Sequence, residues 1–280
     1  MKVFQEARRI VDALTPKYGE REAKAMMRII FENLKGWNPV DVAVKANEEV
    51  SDFIAGKIDS VVGRLLADEP IQYIFGNADF YGLNFKVTED TLIPRPETAE
   101  LVDIIVGENQ RKDLHVLDAC TGSGCIAIAL ARNLPFADVV ATDISDKALA
   151  VARENNKRLK TSVQFLKADI LKGEPAGEAF DIIVSNPPYI CEKEKSGMPQ
   201  NVLRHEPSLA LFVPDEDPLR FYRGILSLAK DYLAPGGKIY FEINPLYARV
   251  LLDLAHRDGF GDVEIVRDSF GKLRFAKISR

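Results

Sequence analysis

The sequence predicts an α/β protein, a parallel doubly wound sheet preceded by a small all-helical domain. Three observations point there. From about residue 114 short apolar strand patterns alternate with helical ones, as when crossover helices bring successive strands parallel. Residues 1 to about 68 instead space their apolar side chains by three, four or seven, the period of a helix face. The chain has 280 residues, 46% hydrophobic and 28% charged, enough for one large domain or two smaller ones.

The elements follow in order. Leu14, Tyr18, Met26, Ile30, Phe31, Leu34, Val42, Val50, Ile54, Val61 and Leu65 define four or five short helices, with breaks expected near Thr15-Pro16, Gly36-Trp37-Asn38-Pro39 and Asp59-Ser60. Trp37 reads as an anchor of this helical domain, assigned to residues 1–75. A connector, 76–95, contains aromatic and branched residues on either side of Tyr81-Gly82, a hairpin pattern. Pro94-Arg95-Pro96-Glu97-Thr98 opens a helix, because proline suits the first helical position and an acid suits its dipole. The third segment, 96–280, carries strands at 114–118, 138–142, 162–167, 180–185, 237–243, 262–266 and 274–278. Helices are expected at 124–132, 146–158, 218–232 and 245–257. No helical pattern separates the last two strands, so they should pair antiparallel across residues 268–271.

Composition excludes several classes. No apolar run reaches the 18 or so residues of a membrane span, and the N-terminus mixes charges of both signs rather than resembling a secretory signal. Three cysteines, Cys120, Cys125 and Cys191, form no C-x-x-C pair, which argues for a reducing, cytoplasmic setting over a disulfide framework. His115, His205 and His256 lack ligand spacing, so no metal is expected. A net charge of −5 favours a small molecule or a protein as partner over direct nucleic-acid binding. A monomer is the expectation.

Two stretches carry chemistry. Asn186-Pro187-Pro188-Tyr189 follows a buried strand pattern. Pro187 drives Asn186 toward extended geometry, and both prolines have fixed φ. The Asn186 amide, the Pro187 carbonyl and the Tyr189 ring are therefore held stiffly, an arrangement suited to a planar NH₂ group: two acceptors and a stacking face. The first strand of the sheet runs into Asp118-Ala119-Cys120-Thr121-Gly122-Ser123-Gly124, where glycines let a ligand approach a helix N-terminus. Gly122-x-Gly124-x-x-Ala127 also fits the dinucleotide fingerprint, and such a turn can be purely structural. Asp118 beside the glycines would repel a pyrophosphate but could hold an ammonium, which favours S-adenosylmethionine over NAD. Asp143 would accept from ribose hydroxyls, and Asp169-Ile170 would offer a polar and an apolar partner to adenine.

These motifs together resemble those of class I, seven-stranded Rossmann-like S-adenosylmethionine-dependent methyltransferases with an Asn-Pro-Pro-Tyr motif. Segments 70–76, 80–82, 91–102 and 205–212 narrow the resemblance to the peptide chain release factor N5-glutamine methyltransferases (PrmC/HemK), from about residue 5 to the C-terminus. Cys120 stands where that family usually has a glycine, and Glu242-Ile243-Asn244-Pro245 replaces a more glycine-rich turn. The resemblance implies methyl transfer from S-adenosylmethionine, leaving S-adenosylhomocysteine. The acceptor it implies is the side-chain amide of a glutamine within Gly-Gly-Gln of class I release factors, recognised by the helical domain. It implies cofactor contacts at Asp118, Cys120, Thr121, Gly122, Ser123, Gly124, Asp143, Asp169, Ile170 and Asn186. Catalysis would rest on Asn186, Pro187 and Tyr189, and substrate binding on those residues with Pro188, Arg95 and Glu206. Arg95 can also be a plain helix start, and Glu206-Pro207 a plain turn. The loop 191–197 reads as solvated. Two rivals share parts of the pattern: an adenine-N6 methyltransferase, whose flipped base presents the same NH₂, and an inactive relative that only docks on a translation factor.

Overall fold

The computed structural model describes residues 1–173 and 179–279. The chain divides into two compact units: Met1–Gly76 with Pro199–His205, and Asn77–Met198 with Glu206–Arg280. Among the described residues no helix is long and apolar enough to cross a membrane.

The first unit is helical. It contains α1 (Val3–Tyr18), α2 (Glu20–Lys35), α3 (Pro39–Val44), α4 (Asp52–Leu66) and α5 (Ile71–Phe75). Val3, Ile10, Leu14, Ile30, Phe31, Ile58 and Leu65 close its core, with Trp37 packed against it and stacked on Phe31. Asn38 caps α3 and Ser51 caps α4, each side-chain oxygen accepting a first-turn N–H. One expected break is displaced and one is absent. Pro16 lies inside the last turn of α1, where it forfeits one backbone bond and the helix ends two residues later, the chain turning at Gly19, φ +80°. Asp59-Ser60 lies within α4 because Ile58, Val61, Val62 and Leu65 keep one face buried on either side of it.

The second unit opens with a hairpin, β1 (Asn77–Phe80) and β2 (Leu83–Lys86), turning at Tyr81-Gly82. Then come α6 (Pro96–Glu108), β3 (His115–Ala119), α7 (Cys125–Asn133), β4 (Asp138–Asp143), α8 (Asp146–Leu159), β5 (Gln164–Lys167), β6 (Phe180–Ser185) and β7 (Ile190–Cys191). After α9 (Gln200–His205), which belongs to the helical unit, follow α10 (Ser208–Leu211), β8 (Phe212–Val213), α11 (Arg220–Tyr232), β9 (Leu233–Glu242), α12 (Ala248–Arg257), β10 (Asp262–Arg267) and β11 (Leu273–Ser279). The segment 191–197 is not a plain solvated loop. Cys191 is fully buried and pairs through β7 with β8, and Glu192–Gly197 winds into a 3₁₀ turn.

Seven strands form one sheet in the order β10-β11-β9-β6-β3-β4-β5. The five strands from β9 to β5 are parallel; at the other edge β11 runs antiparallel to β9, and β10, antiparallel to β11, returns to the common direction. Both faces are covered, as the apolar strands require. Val116, Ile182, Val184, Tyr240 and Phe275 pack with α6 and α7, whereas Leu117, Ile183, Ile239, Phe241 and Ala276 pack with α11 and α12. Alternate residues of one strand serve opposite layers. After β3 the chain winds outward to β4 and β5, then returns to place β6 on the other side of β3. Ligands of open α/β sheets bind at the carboxyl ends of strands that part in this way. Ala119 pairs with Ser185, so the glycine loop and the Asn-Pro-Pro-Tyr segment leave neighbouring strands side by side.

Candidate active site

A cavity of about 460 Å³ lies in the second unit at these strand ends, within the usual size of a small-molecule site. Cys120, Thr121, Gly122 and Ser123 line it from the β3 exit, Asp143 and Ser145 from β4, Asp169 and Ile170 from β5, and Asn186 and Pro188 from β6. Leu92, Pro94, Arg95 and Thr98 line it from the segment that enters α6. Asp118, Gly124, Pro187, Tyr189 and Glu206 are not among the residues that line it.

The loop after β3 is built around left-handed backbone. Cys120 has φ +63°, Gly122 +56° and Gly124 +80°. The glycine that the related family places at position 120 is thus replaced by a residue held in a glycine-like conformation. A Cβ on Gly122 would meet nothing within 4 Å, whereas one on Gly124 would lie 3.2 Å from Ala152 and Phe165. Gly122 therefore keeps the cavity clear, and Gly124 lets α7 pack closely. The Gly122 N–H donates to Asp143 Oδ2 at 2.9 Å, and the Ser145 N–H donates to Asp143 Oδ1 at 2.9 Å. Each of those oxygens keeps a second lone pair. Burial pushes the Asp143 carboxyl up, against these bonds.

Asp118 is the last residue but one of β3 and is fully enclosed. Its Oδ2 accepts from the Thr121 hydroxyl at 2.6 Å and from the Ala127 N–H at 3.1 Å. Burial raises the carboxyl to about 7. Among the described residues three buried side-chain polar atoms have no partner: Asp118 Oδ1, Ser123 Oγ and His205 Nε2. Two of the three belong to this loop. Orphaned polar atoms in a native core call for a partner from outside the chain, and a carboxylate and a hydroxyl suit the ammonium and carboxylate end of an amino-acid cofactor. Burial also raises the Cys120 thiol, and pushes Cys125 up to about 12, so neither behaves as a nucleophile.

Asn186 donates through Nδ2 to Thr98 Oγ1 at 3.3 Å. Thr98 in turn donates to Glu242 Oε2 at 2.6 Å, and the Tyr189 hydroxyl donates to Glu242 Oε1 at 3.0 Å. Burial raises Glu242, while Thr98, Tyr189 and Arg274 oppose the shift. The Tyr189 ring packs into the apolar layer with α11 and α12, behind the cavity wall rather than inside it. Arg95 and Glu206 pair with each other at 2.5 Å, and Glu206 also accepts the Ile93 N–H at 3.3 Å. This buried carboxylate ties the segment before α6 to the segment before α10. Thr98 and Glu242 were not legible as site residues in the sequence. The available signal was an acid ending the apolar run Ile239-Tyr240-Phe241-Glu242, the same pattern that singles out Asp143.

Comparison with known proteins agrees with this geometry. Residues 98–207 match the family Methyltransferase small domain, and residues 6–76 match the PrmC N-terminal domain. A release factor glutamine methyltransferase of Bacteroides thetaiotaomicron is 47% identical over 97% of this chain and 98% of its own length. Its counterpart in Flavobacterium psychrophilum is 42% identical over 96% of each chain. A methyltransferase structure from Pyrococcus furiosus shares the fold, with a TM-score of 0.52, 20% identity, and coverage of 77% of this chain and 95% of that one. The protein is an enzyme that uses S-adenosylmethionine, and the chain belongs to the release factor glutamine methyltransferases.

Proposed function

We propose that the enzyme methylates the side-chain amide nitrogen of the glutamine in the Gly-Gly-Gln motif of class I peptide chain release factors. The observation that carries this reading is the state of Asn186. It lines the cavity, its nitrogen is spent on Thr98, and among the described residues its amide oxygen has no hydrogen-bond partner. An acceptor fixed in this way at a cofactor cavity fits an incoming NH₂ group.

S-adenosylmethionine supplies the electrophilic methyl group. The chain's own residues do the rest. The loop 120–124 would hold the cofactor's amino-acid end, with Asp118 Oδ1 and Ser123 Oγ as its partners. Asp143 would accept from the ribose hydroxyls, and Asp169 with Ile170 would hold the adenine. Asn186 Oδ1 and the Pro187 carbonyl would accept the two amide N–H groups and orient the nitrogen; as its bond to the methyl carbon forms, the carbon–sulfur bond of the sulfonium would break to leave the thioether, and one of the two amide protons would pass to solvent. An amide nitrogen is a poor nucleophile because its lone pair is shared with its carbonyl. Acceptors that meet positive charge as it grows on nitrogen act where stabilisation counts most, and fixed geometry adds effective molarity. Tyr189 supports Asn186 from behind the wall. Arg95, paired with Glu206, shapes the substrate side of the cavity, and the helical unit serves as the substrate-recognition domain.

Incubation with purified release factor and cofactor, followed by mass spectrometry of the Gly-Gly-Gln peptide, tests the reading. One added methyl on that glutamine is expected. Asn186→Ala should cost about 100-fold in turnover, roughly 3 kcal/mol, the scale of one transition-state hydrogen bond. Methylation of adenine in DNA or RNA in place of the peptide, or normal turnover by Asn186→Ala, would overturn it.

A further inference from the structure

An asparagine amide can face its substrate in two ways, and only one of them works here. If NH₂ rather than C=O faced the incoming amide, two donors would oppose each other. Something must therefore choose between the two faces. The hydrogen bond of the Asn186 side chain goes outside the Asn186-Pro187-Pro188-Tyr189 segment, to Thr98.

Thr98 stands at the deciding position. A hydroxyl has one proton to give. Thr98 gives it to Glu242 Oε2, at 2.6 Å. Glu242 is 2% exposed, and its other oxygen already accepts from the Tyr189 hydroxyl. With its proton committed, Thr98 Oγ1 can only accept, and it accepts from Asn186 Nδ2. We propose that Thr98 and Glu242 are positioning residues that set the Asn186 amide with its oxygen toward the substrate nitrogen. The inference rests on the reading of Asn186 as the acceptor of the substrate amide.

The same carboxylate also restrains Tyr189, so both ends of the four-residue segment are tied to one group at the end of β9. Asn244, two residues further on, donates to the Tyr189 carbonyl at 3.1 Å. The turn after β9 that departs from the family's glycine-rich form is thus an anchor for the catalytic segment.

The test measures kcat, KM for the release factor and cofactor affinity in four variants. Thr98→Val keeps the shape and removes the hydroxyl. It should lower kcat about tenfold or more, the weight of one misdirected hydrogen bond to a reacting group, with KM and cofactor affinity nearly unchanged. Thr98→Ser should restore kcat. Glu242→Leu removes the acceptor of the Thr98 proton, frees that proton to turn toward Asn186, and should lower kcat in the same way. If Thr98→Val no longer binds cofactor, Glu242→Leu carries the test. Asn186→Ala is measured alongside. A dead Asn186→Ala beside a fully active Thr98→Val or Glu242→Leu overturns this inference and leaves the function standing. A fully active Asn186→Ala overturns the function. Losses that appear equally in KM and cofactor binding, or that serine does not restore, assign Thr98 a merely structural role and overturn the inference.

Discussion

Replacing Asp118 with asparagine should flatten the dependence of stability on pH. Asp118 is fully enclosed in β3, and burial raises its carboxyl from 3.8 to about 7. An unfolded chain releases this proton near the lower value, while the folded protein keeps it until about 7. The folded state therefore binds more protons in between, and stability falls as pH rises through that window. About three units at 1.36 kcal/mol each give a total of about 4 kcal/mol, of which about 3 kcal/mol is lost between about pH 5 and about pH 8. Asparagine keeps one oxygen for the Thr121 hydroxyl and the Ala127 N–H. Its NH₂ replaces Oδ1, which has no partner, at a cost of about 1–3 kcal/mol that does not depend on pH. The signature is thus a lost slope rather than a higher or lower stability at one pH. Urea unfolding followed by circular dichroism at a series of pH values reads it directly. Parallel slopes in the two proteins would refute the burial argument. Saturating cofactor should flatten the wild-type slope too, because an ammonium against Oδ1 favours the ionised carboxylate.

Three further outcomes follow from the same loop and its surroundings. Gly124→Ala should lose about 1–3 kcal/mol of stability and weaken cofactor binding, since φ is +80° and the new methyl lies 3.2 Å from Ala152 and Phe165; calorimetry and thermal melting check both. Cys120→Gly should change stability by less than about 1 kcal/mol, because relief of left-handed strain offsets the added freedom of the unfolded chain; a large loss on denaturant unfolding would contradict the φ of +63°. Arg95→Ala should cost about 3 kcal/mol by leaving the buried Glu206 carboxylate without its cation, and Arg95→Ala/Glu206→Gln should recover part of it in the same melting assay.

Much of the fold was legible because its signals are local. The strand at Phe180–Ser185 reads as one continuous apolar run, and Pro96 opens α6 where a proline at the first helical position belongs. The errors share a cause as well. Pro16 reads as a break only until its position one turn from the end of α1 is known, and Asp59-Ser60 reads as one only until its neighbours are seen to bury a continuous face of α4. Cys191–Gly197 reads as a loop because a two-residue strand leaves no periodicity, yet β8 pairs with it from residues that follow much later.

The site divides along the same line. Sequence by itself determined which chemistry is available: the glycine loop, the acids at strand ends and a stiff amide-bearing segment are each a few adjacent residues with local geometry. Tertiary structure alone decided how that chemistry is oriented. Thr98 lies 88 residues from Asn186 and 144 from Glu242 in the chain. They meet because the sheet places β9 beside β6 and α6 packs against β9. Hydrogen-bond direction along such a relay depends on which side chains strand order brings within 3 Å or so. No spacing in the sequence encodes that.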